Sequence, residues 1–529
     1  MAFRSEYPDV PVLDQPLHTL VLSRAAEYGD RSALLDGLTG ERVSYRELAE
    51  AVDRVAAGLA EAGVVKGDVV ALHSPNSLVY PVALYAASTA GATVTTVSAL
   101  ATPEELAGQL RDSGANLLLV ASALLPVALA ATDGGKTVRE IILLDGDDRG
   151  KGGHGTAAHR TLADLRACTG PVPEVAIDPA TDLAVLPYSS GTTGLPKGVM
   201  LTHRSIGTNL AQVDAVTRIE PGEVVIGVLP FFHIYGLTVI LNRTLRAGAT
   251  AVVLPRFDLE QFLRTIEEYR VQALFVAPPI VLALAKHPMV DAFDLTSVRY
   301  VLSAAAPLDA ELAAACAARL GLPTVHQGYG MTELSPATHV VPLDDPAPAP
   351  GTVGKLVAGT ELRIRSVDGG APDLGTGERG EILIRGPQVM KGYFGRPTET
   401  DTMIDPDGWL HTGDVGYVDE RGYLFVVDRV KELIKYKGYQ VAPAELEALL
   451  LTHPQIADAA VVGVPEEDGS ERPKAFVVRV PDSELTEAEV ITFVADRVAP
   501  YKKVRAVAFL TAVPKSASGK ILRRELRGR

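Results

Sequence analysis

Residues 189–199 read Ser-Ser-Gly-Thr-Thr-Gly-Leu-Pro-Lys-Gly-Val and follow a short apolar run, Leu183 to Leu186. The run reads as a buried strand, so the fold must deliver a loop of hydroxyls and glycines from a strand end. Glycines let the backbone turn sharply and bring its N–H groups close to a ligand. Ser and Thr add short donors, and Lys197 adds a point positive charge suited to phosphate. An ordinary polar turn draws on the same residue types. The P-loop is a poor match, because it needs G-x-x-x-x-G-K-[ST]. Counting from Gly191, Pro196 stands where the second Gly belongs, and Gly198 follows Lys197 in place of a hydroxyl.

The surrounding pattern predicts an α/β fold. Ser44 reads as an N-cap, with apolar residues at helical spacing from Leu48 to Val64. Val69 to Leu72 and Leu117 to Val120 read as strands, and Thr102-Pro103-Glu104-Glu105 as a capping box opening a helix. The uncharged run from Ser77 to Pro103 reads as a helix followed by a strand, not as a membrane span. Strands alternating with helices argue for parallel sheets covered on both faces. Alternation resumes at Val224–Leu229, Thr250–Leu254, Ala273–Val276, Tyr300–Ser303 and Thr324–His326, and Asp145 to Gly155 reads as a glycine-rich surface loop. Glu361 to Ile384 reads as an antiparallel, β-rich subdomain. The last hundred residues form a small α+β unit: helices over Ala444–Leu451 and Thr486–Arg497, strands over Asp458–Val464, Lys474–Val480 and Val507–Leu510.

With 529 residues the chain is too long for one core. The expected division is 1–430 and 431–529, the second unit mobile about a short charged hinge, Asp428 to Glu432. A net charge of −15 and the lack of a Lys/Arg run exclude a basic nucleic-acid face. Two cysteines without C-x-x-C spacing exclude a disulfide framework or a structural zinc site. No apolar leader opens the chain, and the reading is a soluble cytoplasmic protein with no membrane and no obligate protein partner.

Further constellations carry chemistry. His233 and Tyr235 stand after a predicted strand, where open α/β sheets bind ligands. Gln327-Gly328-Tyr329-Gly330-Met331-Thr332-Glu333 offers an aromatic face for a base, a hydroxyl for a phosphate and a carboxylate for Mg²⁺. Asp414 can accept both hydroxyls of a ribose that Arg429 could also reach. Lys431, Lys435 and Lys437 adjoin the hinge, and a glycine-loosened loop presents Lys520.

Residues 189–199 match the AMP-binding signature of the acyl-adenylate-forming enzymes, and the chain resembles the 4-coumarate–CoA and cinnamate–CoA ligases among them from about Ala33 to Lys520. The resemblance implies ATP, Mg²⁺ and coenzyme A as cofactor and co-substrates, and a small aromatic carboxylate as the acid. By that resemblance Ser189, Ser190, Gly191, Thr192, Thr193, Gly194, Lys197, Gln327, Gly328, Tyr329, Thr332, Asp414, Arg429 and Arg256 belong to the cofactor-binding set, with Glu333 and Thr193 toward the metal. Lys431 is placed at the hinge, Lys435 and Gln440 near the acyl-adenylate, Lys437 and Gly438 near coenzyme A. His233 borders the approach of the thiol, and Lys520 bridges the substrate carboxylate and the α-phosphate. The acyl pocket includes Tyr235, Val239, Ala304, Ala305, Ala306, Gly328, Pro336 and Val340. Its small residues leave a flat slot suited to an aromatic ring with a short unsaturated tail, and no Asp or Lys there meets an amino-acid ammonium. Leu383 stands where a second ligase box is often written with Cys, which argues against a covalent thioester on the protein. Cinnamate, 4-coumarate and caffeate all fit this reading. A medium-chain fatty acyl–CoA ligase, a luciferase-like adenylate-forming enzyme, and a non-catalytic nucleotide-binding protein are the alternatives.

Overall fold

The computed structural model describes residues 2–132, 138–146, 159–189, 196–345, 347–367, 373–430, 432–436, 439–466, 471–516 and 519–527; for 435, 439 and 440 it describes the backbone alone. Most of the loop expected at 145–155, and Ser190 to Gly194, Lys431, Lys437 and Gly438 within the expected site, lie outside the described residues.

The smaller of two large sheets is mostly parallel. Val69–His73 lies between Thr93–Val97 and Leu117–Val120, both parallel to it. Leu117–Val120 is wholly apolar and buried, and the other two strands are buried except at Val69, with Thr93, Thr95, Thr96 and His73 as their polar residues. Ser44 and Thr102 cap the helices Tyr45–Glu61 and Pro103–Ser113, each in a capping box with the Glu three residues on. Val79–Thr89 is a helix apolar on every side, and nearly all of it is buried. Among the described residues no helix is long and apolar enough to cross a membrane.

The residues on either side of the phosphate-loop stretch pair as a hairpin on this sheet. Tyr188–Ser189 pairs antiparallel with Lys197–Thr202, and Ser189 faces Lys197 in register. Directly after that strand, Thr202 accepts the Ser205 N–H and caps the helix His203–Asp214. The helix runs to the larger sheet. There Asn209 donates from Nδ2 to the Ala337 carbonyl at 2.7 Å and accepts the Ala337 N–H at 3.1 Å. A buried amide with both functions satisfied is a rigid tether between hairpin and sheet.

Among the described residues the larger sheet has 14 strands. Val224–Gly227, Thr250–Val253, Ala273–Val276 and Tyr300–Ser303 run parallel. His326–Gly330 pairs parallel with Tyr300–Ser303 on one edge and antiparallel with Ala337–Val340 on the other. Beyond that switch the sheet stays antiparallel through Gly354–Leu356, Tyr423–Arg429, Leu410–Val418 and Gly380–Arg385. The β-rich segments thus continue the large sheet. The strand expected at 324–326 is corrected to His326–Gly330, so the Gln327–Gly330 part of the motif is itself strand. Glycines disfavour a strand, but pairing on both edges overrides local preference here. Gly330 is obligatory there, since a Cβ would lie 1.9 Å from the Pro336 carbonyl oxygen. Asp414, the expected ribose acceptor, lies inside the strand Leu410–Val418.

The C-terminal residues build their own core. Ile434, Leu446, Val461, Ala475, Val490 and Val507 pack together around Pro443–Leu451, Ile456–Pro465, Glu471–Arg479, Glu487–Ala495 and Ala506–Phe509.

Candidate active site

A cavity of about 640 Å³ opens where the hairpin, the switch strand and the C-terminal loop meet. At one end lies the phosphate side. The Ser189 hydroxyl donates to Glu333 Oε1 at 2.8 Å, and the Tyr393 hydroxyl donates to the same oxygen at 2.9 Å. Glu333 is almost wholly buried, on the short turn after the switch strand. Lys197 Nζ sits 4.9 Å above the Tyr393 ring centre, within cation–π range. A hard divalent ion suits this donor set, because a carboxylate and hydroxyl oxygens face one cavity. Among the described residues no cluster of three or more His, Cys, Asp or Glu could hold a metal. Mg²⁺ would therefore be shared with phosphate oxygens, its usual mode. Thr332 lines the cavity beside Glu333.

The nucleoside side is built on Tyr329, which also lines the cavity. Its hydroxyl donates to Asp414 Oδ2 at 2.6 Å, and Arg429 Nε lies 3.2 Å from Asp414 Oδ1. Both oxygens of the expected ribose acceptor are thus engaged, and Asp414 holds Tyr329 and Arg429 while standing just behind the wall. Burial and the Asp414 charge drive the Tyr329 phenol well up, so it remains a donor. Gln327 is buried behind the wall, and Arg256 is exposed after Thr250–Val253; neither lines the cavity.

The acyl side is lined by Tyr235, Val239, Ala304, Ala305, Gly328, Pro336 and Val340; Ala306 does not reach it. Tyr235 opens a π-helix, Tyr235–Asn242, and its hydroxyl donates to the Leu302 carbonyl at 3.1 Å. The wide turn brings Val239 beside it. Val213, Phe232 and Leu302 complete this wall. Sequence reasoning missed them, because in sequence they are indistinguishable from core.

Lys520 reaches the cavity from the C-terminal loop. Its N–H donates to Ser516 Oγ at 3.2 Å, and the Gly519 N–H to the Ser516 carbonyl at 2.9 Å. The turn needs Gly519 at φ +82°, and a Cβ there would lie 3.2 Å from Pro279, so the loop is seated on Pro278–Lys286. Burial, then the Arg429 charge, lowers the Lys520 ammonium to about 8. Burial, then the Lys520 charge, lowers His233 to about 4, leaving a neutral imidazole at pH 7. Its Nδ1 accepts the Tyr235 N–H at 3.3 Å, which puts the ring proton on Nε2. Lys435 and Gln440 are backbone register partners in the hairpin Ile434–Tyr436 and Tyr439–Val441.

Residues 22–394 match the AMP-binding enzyme family, and residues 445–520 match the AMP-binding enzyme C-terminal domain. The chain belongs to the AMP-binding enzyme family. A 4-coumarate–CoA ligase 2 of Oryza sativa subsp. japonica is 45% identical over 544 residues, covering 100% of this chain and 95% of the relative. Among solved structures, ATP-bound MatB from Rhodopseudomonas palustris superposes with a TM-score of 0.87 at 30% identity, covering 98% of this chain and 99% of that one. The anthranilate CoA ligase AuaEII in complex with anthranoyl-AMP gives 0.88 at 25% identity, with 98% of both chains covered. The family's fold is the one described above, two large α/β sheets with a separate C-terminal unit.

Proposed function

We propose that this protein is an acid–thiol ligase that joins 4-coumarate, or a related hydroxycinnamate, to coenzyme A through an acyl-AMP intermediate. The observation that carries the reading is Lys520 buried in one cavity with Lys197, Glu333 and Tyr329, in a chain alike over its whole length to 4-coumarate–CoA ligases. In the first half-reaction the acid's carboxylate attacks the α-phosphorus of ATP, and pyrophosphate leaves. Lys520 lies between the two anions and offsets the charge that gathers as they meet. Lys197 steadies the phosphates, and Tyr329 gives the base a flat face. Mg²⁺, when bound at Glu333, supplies charge neutralisation to the leaving pyrophosphate. In the second half the thiol of coenzyme A attacks the acyl carbonyl, and AMP leaves. No protein nucleophile is required; catalysis is positioning plus electrostatics. A neutral His233 adds no second cation beside Lys520.

The aromatic acid is favoured by the small residues Ala304, Ala305 and Gly328, set against Tyr235 and Val239. The second half-reaction would have the C-terminal unit turn about Lys431 to bring Lys435, Lys437, Gly438 and Gln440 toward the cavity. The acidic chain and two free cysteines support a cytoplasmic enzyme acting on small molecules alone. The test is Lys520→Ala. Pyrophosphate release should fall by about a thousandfold, the scale of losing one preorganised charge, while thiolation of supplied coumaroyl-AMP stays within about twofold. Equal loss of both halves would contradict the assignment.

A further inference from the structure

The segment Met390–Phe394 is a strap across the phosphate end, and none of the sequence motifs includes it. Gly392–Tyr393 is a two-residue strand paired antiparallel with Lys197–Thr202, Val199 facing Tyr393. The Phe394 N–H donates to the Gly198 carbonyl and the Lys391 N–H to the Met200 carbonyl, each at 2.9 Å. At its other end the Met390 N–H donates to the Glu333 carbonyl at 2.9 Å. The strap thus holds both the strand leaving the phosphate loop and the backbone of Glu333. Tyr393 itself is fixed: its N–H donates to Thr400 Oγ1 at 2.9 Å, and its side chain is buried.

From that position one side chain serves two partners. The hydroxyl donates to Glu333 Oε1, and the ring lies beneath Lys197 Nζ. Among the described residues both side-chain donors to Glu333, Ser189 and Tyr393, fall on Oε1, which leaves Oε2 for a cation. We infer that Tyr393 is a positioning residue for metal-dependent nucleotide binding: it fixes the Glu333 carboxylate in the rotamer that presents Oε2 to the cation, and its ring sets the height of Lys197. The inference rests on the reading of Glu333 as the metal carboxylate.

The test is equilibrium binding of ATP to the full chain by calorimetry, with Mg²⁺ titrated and again in EDTA. Tyr393→Phe keeps the ring under Lys197 and removes the donor. It should raise the Mg²⁺ concentration for half-maximal enhancement of ATP binding about tenfold, the lower end of the scale of one hydrogen bond to a charged group, and leave binding in EDTA unchanged. Ser189→Ala removes the other donor to Oε1 and should shift the Mg²⁺ requirement in the same direction. Tyr393→Leu also removes the ring and should weaken binding in EDTA as well. If Tyr393→Phe weakens both kinds of binding together, its role is structural and the inference is overturned. Glu333→Gln separates the two levels. If it shifts the Mg²⁺ requirement and Tyr393→Phe does not, only the inference about Tyr393 fails; if Glu333→Gln itself shifts nothing, the metal reading of Glu333 fails with it.

Discussion

At the scale of single residues, the site depends on an ammonium held away from water. Lys520 is buried beside Arg429, and both effects lower it to about 8. The charged form is the working form, so the sign follows directly. Below about 8 the free enzyme carries the cation that draws two anions together; above it the cation is lost. The value of kcat/KM for pyrophosphate release reports the free enzyme, and should fall about tenfold per pH unit on the alkaline side. Lys520→Arg should be slower but lose that alkaline limb, because a guanidinium stays charged. An alkaline limb that survives in the Arg variant would assign it to another group. His233 adds no limb between pH 6 and 7, since its ionisation lies near 4. Lys197, Tyr329, Thr332, Glu333 and Lys520 could be singled out in the sequence as neighbours of one cavity because each motif is local. Tyr393 could not, because its two partners lie 60 and 196 residues away. Asp414 could be singled out in the sequence, but its engagement by Tyr329 and Arg429 needed the placement of three strands.

At the scale of elements, the switch strand His326–Gly330 decides the geometry. One edge belongs to the parallel half of the sheet and the other to the antiparallel half, and the cavity opens beside it. The cavity is lined by residues just past the carboxyl ends of Val224–Gly227 and Tyr300–Ser303, which is where ligands bind in open α/β sheets. Gly330→Ala forces a methyl group into the Pro336 carbonyl. We expect a cost of about 3 kcal/mol, the upper range for overpacking against backbone, read as a lower Tm with weakened ATP binding. An unchanged Tm would mean that the strand pair can part at little cost. Buried parallel strands such as Leu117–Val120 and Ala273–Val276 were legible as unbroken apolar runs bounded by turns. The switch strand was not, since its glycines read as a loop and only the two neighbours make it a strand.

At the scale of the whole molecule, the C-terminal residues have a core of their own, apart from the main one. In the present arrangement the C-terminal loop is seated on Pro278–Lys286, with Lys520 inside the cavity. The junction is tied from both sides. Asp428 accepts the Ala444 N–H at 3.0 Å, and Arg523 pairs with Glu432 and, at 2.6 Å, with Glu447. Burial raises Asp428 to about 6 and Glu447 to about 7, with the Arg523 charge opposing the rise in each. We propose that this junction is a hinge with a few defined poses, which would suit an enzyme with two half-reactions. The two-part organisation was legible in the change of pattern after Glu432. The seating of the loop on Pro279 was not, because it joins residues 240 apart in the chain.

The central claim is a thioester made through an acyl-adenylate from a hydroxycinnamate. The most direct measurement is mass spectrometry of the products formed from MgATP, coenzyme A and an equimolar mixture of cinnamate, 4-coumarate, caffeate, benzoate and octanoate. The expected result is a dominant coumaroyl or closely related cinnamoyl thioester, with AMP released in equal amount. Octanoyl thioester alone, or no thioester with any acid, would contradict it.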